Sequence, residues 1–354
     1  MTKTIIKPEV LGLTPYTLQD HAYRYKLNQN ENPFGFPNEL KEAFWQRVRD
    51  RNWARYPDFH LRHVTERLAD HAGVSPDMVL VGNGSNELIQ VALMVTVSHG
   101  DTIVIPTPTF TLYALLATVL GATPQTVMLR DGDFALPAAE IIAVAREKQA
   151  RVVILCTPNN PTGNTHAEAD IRRIIEACDG LVIVDEAYHE FCNQDFRSLL
   201  DDYENVVLLR TFSKAWGLAG ARLGYLLGPP ALVQEIAKAK LPYGLNIFSE
   251  TAALVALDHR EAMQEQVAEI GRQRDLLFGA LSALEGAHPY PSQANFILTR
   301  FDRPSGEVFA ACLEHGVLVR DVSHYPGLAG HLRLSVGTAE ENAILLASLE
   351  KLAG

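Results

Sequence analysis

The chain has 354 residues, 47% of them hydrophobic, and a formal net charge of −11. That length buries a large core and points to about two domains, while the acidic balance, with a pI of about 5.6, and the lack of any dense Lys/Arg run exclude nucleic acid as an expected partner. Four scattered cysteines (Cys156, Cys178, Cys192, Cys312) without a CxxC spacing suit buried thiols in a reducing compartment rather than disulfides or zinc.

In chain order, residues 1 to about 30 are mixed, with Pro8 and Pro15, and read as an arm. The start, Met1-Thr-Lys-Thr-Ile-Ile-Lys-Pro8, lacks the apolar core of a signal peptide, and no apolar run is long enough to cross a bilayer. A soluble cytoplasmic protein with no membrane partner is expected. From residue 31 to 250, short apolar runs alternate with helical patterns. The predicted strands are Met78–Val81, Thr102–Ile105, Val152–Leu155, Leu181–Val184, Val206–Leu209 and Leu223–Leu227. Near-continuous Val/Ile/Leu runs mark strands buried on both faces, as in a parallel sheet. Helical spacing over Glu87–Val97 and Ala167–Cys178 completes an α/β pattern. From 251 to 354 the texture changes: a long helix over about His259–Leu284, strands at Asn295–Leu298, Val317–Val319 and Leu332–Val336, and a final helix from about Glu340 predict a smaller α+β domain.

The polar motifs follow the carboxyl ends of the predicted strands, the edge where open parallel sheets bind ligands. Lys214 and Arg222 lie in the Gly-rich turn after Val206–Leu209; a lysine there is placed as an amine and the arginine suits an anion, although an exposed lysine is the ordinary alternative. Asp185 ends Leu181–Val184, where a carboxylate is costly without a cation, unless it caps a helix or holds a metal. Asn159-Asn-Pro-Thr-Gly163 is either a plain turn or an amide donor at the ligand edge. Gly82-Asn-Gly-Ser-Asn-Glu87 joins a strand to a helix whose N-terminus offers N–H groups to a phosphate, or is simply capped by Ser85 or Asn86. It is neither a Walker A loop nor a dinucleotide fingerprint. His60 and His63 lack further ligands, so no metal is expected.

Asn160-Pro-Thr-Gly163, Asp185-Glu-Ala-Tyr188 and Ser213-Lys214…Arg222, in that order and spacing, resemble the fold-type I pyridoxal-phosphate-dependent aminotransferases. Thr14-Pro-Tyr16, Leu27-Asn-Gln-Asn-Glu-Asn-Pro33, Arg55-Tyr-Pro-Asp58, Ala294–Leu298, Val319-Arg-Asp-Val-Ser323 and Leu332–Thr338 are similar to the histidinol-phosphate aminotransferase branch of that family. The resemblance implies a large, mostly parallel-sheet α/β domain plus a smaller α+β domain. It implies pyridoxal 5'-phosphate as cofactor. Lys214 is then the amine that condenses with the cofactor aldehyde and later moves a proton, Asp185 the partner of the pyridine nitrogen, and Asn160 and Tyr188 the donors to the ring's 3-oxygen. Phe110 is the ring-stacking aromatic. Gly84, Ser85, Asn86, Thr211, Ser213 and Arg222 hold the phosphate, joined by Tyr56 from a neighbouring subunit, which makes the active unit a homodimer with composite sites. Arg320 and Arg333 grip the substrate's anionic group, with Asn160, Tyr16 and Tyr243 at the substrate end. Phe110, Tyr16 and Tyr243 read equally as core aromatics from the residues alone.

The implied reaction interconverts histidinol phosphate plus 2-oxoglutarate with imidazole-acetol phosphate plus glutamate, in histidine biosynthesis. The alternatives on the same fold are an aromatic-amino-acid aminotransferase, a phosphothreonine decarboxylase and a non-catalytic sensor.

Overall fold

The computed structural model describes residues 5–14 and 20–353. Tyr16, a residue assigned above to the substrate end, lies outside them. The strands are β1 (Tyr25–Lys26), β2 (Val79–Gly82), β3 (Thr102–Thr107), β4 (Thr123–Met128), β5 (Val152–Cys156), β6 (Leu181–Asp185), β7 (Val206–Thr211), β8 (Gly224–Leu227), β9 (Ala287–Pro289), β10 (Phe296–Phe301), β11 (Val317–Leu318), β12 (Arg320–Asp321) and β13 (His331–Ser335).

Seven of them form one sheet in the order β2-β8-β7-β6-β5-β3-β4. All neighbours are parallel except β8, which runs antiparallel to both β2 and β7. Two reversals cancel, so β2 points the same way as β7, and six strands end on one edge. Every residue of β5, β6, β7 and β8 is buried, as their unbroken apolar runs predict. One apolar cluster packs on each face of this sheet, the first through Val153, Val182 and Leu208, the second through Ile154, Ile183 and Leu209. Helices Ser85–Thr96 and Glu168–Ala177 fall where the spacing placed them.

The 24-residue helix Arg260–Ala283 leads to a four-stranded sheet, β12-β13-β10-β9, with the final helix Ala339–Ala353 behind it. Several features differ from the sequence reading, β9 among them. β4 adds an edge strand that Thr123-Pro-Gln-Thr-Val-Met128 hides, because five of its six residues are at least partly exposed and proline is tolerated at a sheet edge. The predicted strand Val317–Val319 is divided: Val317–Leu318 pairs in parallel with Tyr25–Lys26, and the chain resumes with Arg320–Asp321 beside β13. The irregular lead-in thus contains β1, and Leu27 after it joins the apolar cluster of the small sheet.

Candidate active site

The carboxyl edge of the large sheet opens on a cavity of about 500 Å³. Ser85, Asn86, Phe110, Asn160, Asp185, Tyr188, Thr211, Ser213, Lys214 and Arg222 line it from the large sheet, and Arg320 and Arg333 from the small one. Twelve of the sixteen residues selected from sequence therefore meet in one space.

At one end, helix Ser85–Thr96 begins behind Gly84, whose φ of +83° and missing side chain leave the first-turn amides facing the cavity. A Cβ on Gly84 would stand 2.5 Å from Arg222 Nη2, so the guanidinium lies directly against the turn. Arg222 Nη1 donates to Ser213 Oγ (3.2 Å), which also accepts from the Thr211 hydroxyl (3.0 Å), while the Ser213 amide donates to Thr211 Oγ1 (3.1 Å). Amides at a positive helix end, two hydroxyls and a guanidinium form a cup for a phosphate.

Asp185, 4% exposed, sits at the floor. Its Oδ2 accepts from the Tyr113 hydroxyl at 2.6 Å and its Oδ1 from the Ala187 amide at 3.0 Å. Burial lifts its pKa to about 6 despite both bonds. Tyr113 meets Phe110 edge-on, with ring centroids 5.6 Å apart. Lys214 Nζ donates to the Gln29 carbonyl at 2.8 Å and lies 5.8 Å from the Tyr188 ring. Burial, then the charge of Arg333, lower the Lys214 pKa to about 7. Arg333, 7% exposed, donates to Asn160 Oδ1 (2.5 Å) and the Asn28 carbonyl (2.6 Å), and its guanidinium lies over Phe296. Arg320 is its direct cross-strand neighbour.

The sequence reading missed Tyr113 and the strap Asn28–Glu31, which also line the cavity, as does Tyr325. For Tyr113 the available signal was its place three residues after Phe110, on the same face of a helix start. Tyr56 and Tyr243 do not line the cavity. They stack on each other, centroids 4.4 Å apart, and Tyr56 is 79% exposed.

The family model for class I and II aminotransferases matches residues 24–349. The chain is 42% identical over 348 residues to histidinol-phosphate aminotransferase 2 of Nitrosococcus oceani, covering 98% of this chain and 96% of that one. It is 39% identical over 350 residues to the histidinol-phosphate aminotransferase of Thermococcus gammatolerans, covering 99% and 98%. The histidinol-phosphate aminotransferase of Sinorhizobium meliloti, crystallised in complex with pyridoxal-5'-phosphate, has the same fold, with a TM-score of 0.88, 24% identity, and coverage of 98% of this chain and 97% of that one. So does the L-threonine-O-3-phosphate decarboxylase of Porphyromonas gingivalis, with a TM-score of 0.80, 22% identity, and coverage of 93% and 99%; likeness at that level speaks for fold alone. With a family match across nearly its whole length and relatives near 40% identity, this chain belongs to the class I and II aminotransferases.

Proposed function

We propose that this aminotransferase exchanges an amino group between histidinol phosphate and 2-oxoglutarate, with pyridoxal 5'-phosphate as cofactor, in histidine biosynthesis. The observation that carries the substrate is the pair Arg320 and Arg333. They face each other across β12 and β13 and line the cavity that holds Lys214. Two planar guanidinium forks opposite each other on one cavity wall match a phosphate ester with two negative charges.

The residues fit the cofactor. The turn at Gly84 with Arg222, Ser213 and Thr211 suits its phosphate, and a buried carboxylate with a raised pKa gains from a cationic ring nitrogen. When bound, pyridoxal phosphate supplies an aldehyde that takes up the amino group and a ring that accepts the electron pair left as the substrate's Cα proton departs. Asp185 keeps a proton on the ring nitrogen, with Tyr113 fixing the direction of its carboxylate. Asn160 and Tyr188 would hold the ring oxygen, and Phe110 would cover the ring. Lys214, whose pKa burial and Arg333 lower to about 7 so that a large share is neutral at physiological pH, is the base that carries the Cα proton.

Two copies of the chain complete the enzyme in this reading, with Tyr56 reaching the partner's phosphate cup; the exposed aromatic group Trp53, Tyr56, Phe59 and Tyr243 supports such an interface. Residues 1–30 act as an arm, 31–250 as the cofactor domain and 251–354 as the small domain. The cytoplasm suits its four free thiols, and no helix among the described residues is long and apolar enough to cross a membrane.

The test is a set of single half-reactions followed by the change in visible absorbance on mixing with an amino donor. Histidinol phosphate is expected to react faster than phenylalanine. Faster reaction with phenylalanine sinks the substrate assignment, and carbon dioxide release from threonine O-3-phosphate favours a decarboxylase.

A further inference from the structure

We propose that Asn30 is a positioning residue: through a one-way chain of hydrogen bonds starting at its own amide, it turns the Tyr188 phenol proton into the cavity as a donor. This rests on the reading above that Tyr188 meets the cofactor's ring oxygen.

The direction of the chain follows from donor and acceptor chemistry. The backbone N–H of Asn30 can only donate, and Ser335 Oγ receives it at 2.9 Å. The same Oγ lies 3.0 Å from Asn30 Oδ1, where the hydroxyl is the donor. That assigns the two ends of the amide: Oδ1 faces Ser335, and Nδ2 faces the Tyr188 oxygen at 3.0 Å. An amide nitrogen can only donate, so the phenol oxygen accepts and its own proton points elsewhere. Asn30 is the hydrogen-bond partner of that oxygen among the described residues, and Tyr188 lines the cavity.

Reversing the amide would leave the Ser335 proton without this acceptor at a side chain 2% exposed, an uncompensated desolvation. The backbone supports the arrangement. Asn30 has φ +55°, a left-handed conformation that asparagine tolerates better than most residues, and its carbonyl is held by Asn295 Nδ2 at 2.9 Å. Burial also pushes the Tyr188 pKa up, which keeps the proton on the phenol. Ser335 follows Arg333 by two on β13, so the chain ties the substrate-binding strand to the loop after β6.

Three full-length variants test this: Asn30→Asp, Asn30→Gly and Ser335→Ala. Asn30→Asp is nearly isosteric but replaces a donor with an acceptor, so the phenol turns toward it. Asn30→Gly keeps the backbone conformation and removes the amide. Ser335→Ala removes only the group that orients the amide. In cofactor-free protein carrying ¹³C at the tyrosine ζ carbon, with the signal assigned by Tyr188→Phe, the Tyr188 resonance is expected to move downfield in Asn30→Asp and not in Asn30→Gly. In protein loaded with pyridoxal phosphate, the pH midpoint of the visible absorption change is expected to rise by about one unit in Asn30→Asp, with smaller rises in the other two. Equal spectra and midpoints in wild type, Asn30→Asp and Asn30→Gly overturn the proposal, as does an equal shift in both Asn30 variants, which would reduce the amide to packing. If Asn30→Asp does not fold, Asn30→Gly and Ser335→Ala decide, and unchanged midpoints in both overturn it. If the wild type takes up no cofactor, the cofactor reading fails, while the ¹³C comparison still decides the role of Asn30.

Discussion

Asp185 costs stability through its burial and, in the proposed reading, supplies chemistry. Its carboxyl has a folded pKa raised from 3.8 to about 6 by burial. Between those values the native state binds the proton more tightly than the unfolded state, so stability falls as pH rises through the window and the full cost persists above it. A shift of that size corresponds to up to about 3 kcal/mol. Cofactor-free Asp185→Asn is therefore expected to melt above the wild type near neutral pH, with the difference closing below pH 3.8, while the loaded variant loses cofactor affinity and nearly all transamination. Chemical and thermal denaturation across pH checks the first part and turnover the second; a variant with activity within twofold of wild type refutes the electron-sink role. The carboxylate was legible in the sequence because a charge at the end of an apolar strand demands a partner. Tyr113 was not, since a tyrosine in Leu112-Tyr-Ala-Leu-Leu116 looks like core, and it is core as well: the ring is fully buried and only the hydroxyl reaches Asp185.

Two glycines, Gly84 just past β2 and Gly224 at the start of β8, differ in what each can tolerate. Alanine at Gly84 meets the far end of the Arg222 side chain, which can swing away, and adds a strained φ of about 1 kcal/mol or more. Alanine at Gly224 would place Cβ 2.3 Å from the Ser85 backbone nitrogen, where nothing can move without lifting the helix off the strand. Gly84→Ala is thus expected to fold but to bind pyridoxal phosphate at least about tenfold more weakly, a loss of about 1.4 kcal/mol. Gly224→Ala is expected to show the larger drop in melting temperature. Unchanged cofactor affinity in Gly84→Ala would contradict the phosphate cup. The elements themselves were readable wherever burial is two-sided. β5 to β8 each carry a run of apolar residues, with polar ones confined to the ends of β6 and β7, whereas β4 is mostly exposed at the sheet edge and β1 is two residues long, too short for any period to register. The strap Asn28–Glu31 has no regular structure, so its ties to Lys214, Arg333 and Tyr188 depend on tertiary placement alone.

Across the whole molecule, motifs separated by more than two hundred residues in sequence converge because six strands of the large sheet end on one edge and the small sheet brings β12 and β13 against it. Arg333 touches Asn160 across 173 positions and the Asn28 carbonyl across 305. That convergence was legible from the position of each motif after its strand. Tyr56 is different: nothing within one chain brings it to the cavity, it is exposed and stacked on Tyr243, and its proposed role follows from the family resemblance rather than from a position after a strand. If Tyr56 serves the partner's site, two defective variants should repair each other. Lys214→Ala has no amine but an intact Tyr56; Tyr56→Ala has the amine and lacks the phenol. In a mixed dimer, one site takes Lys214 from one chain and Tyr56 from the other and is whole, while the second site lacks both. Random reassortment of equal amounts gives half mixed dimers with one whole site in two, so about a quarter of wild-type activity is expected at limiting pyridoxal phosphate. If instead each Tyr56 served its own chain's site, every mixed dimer would combine a site without the amine and a site without the phenol, and the mixture would show no more than the mean of its two parents.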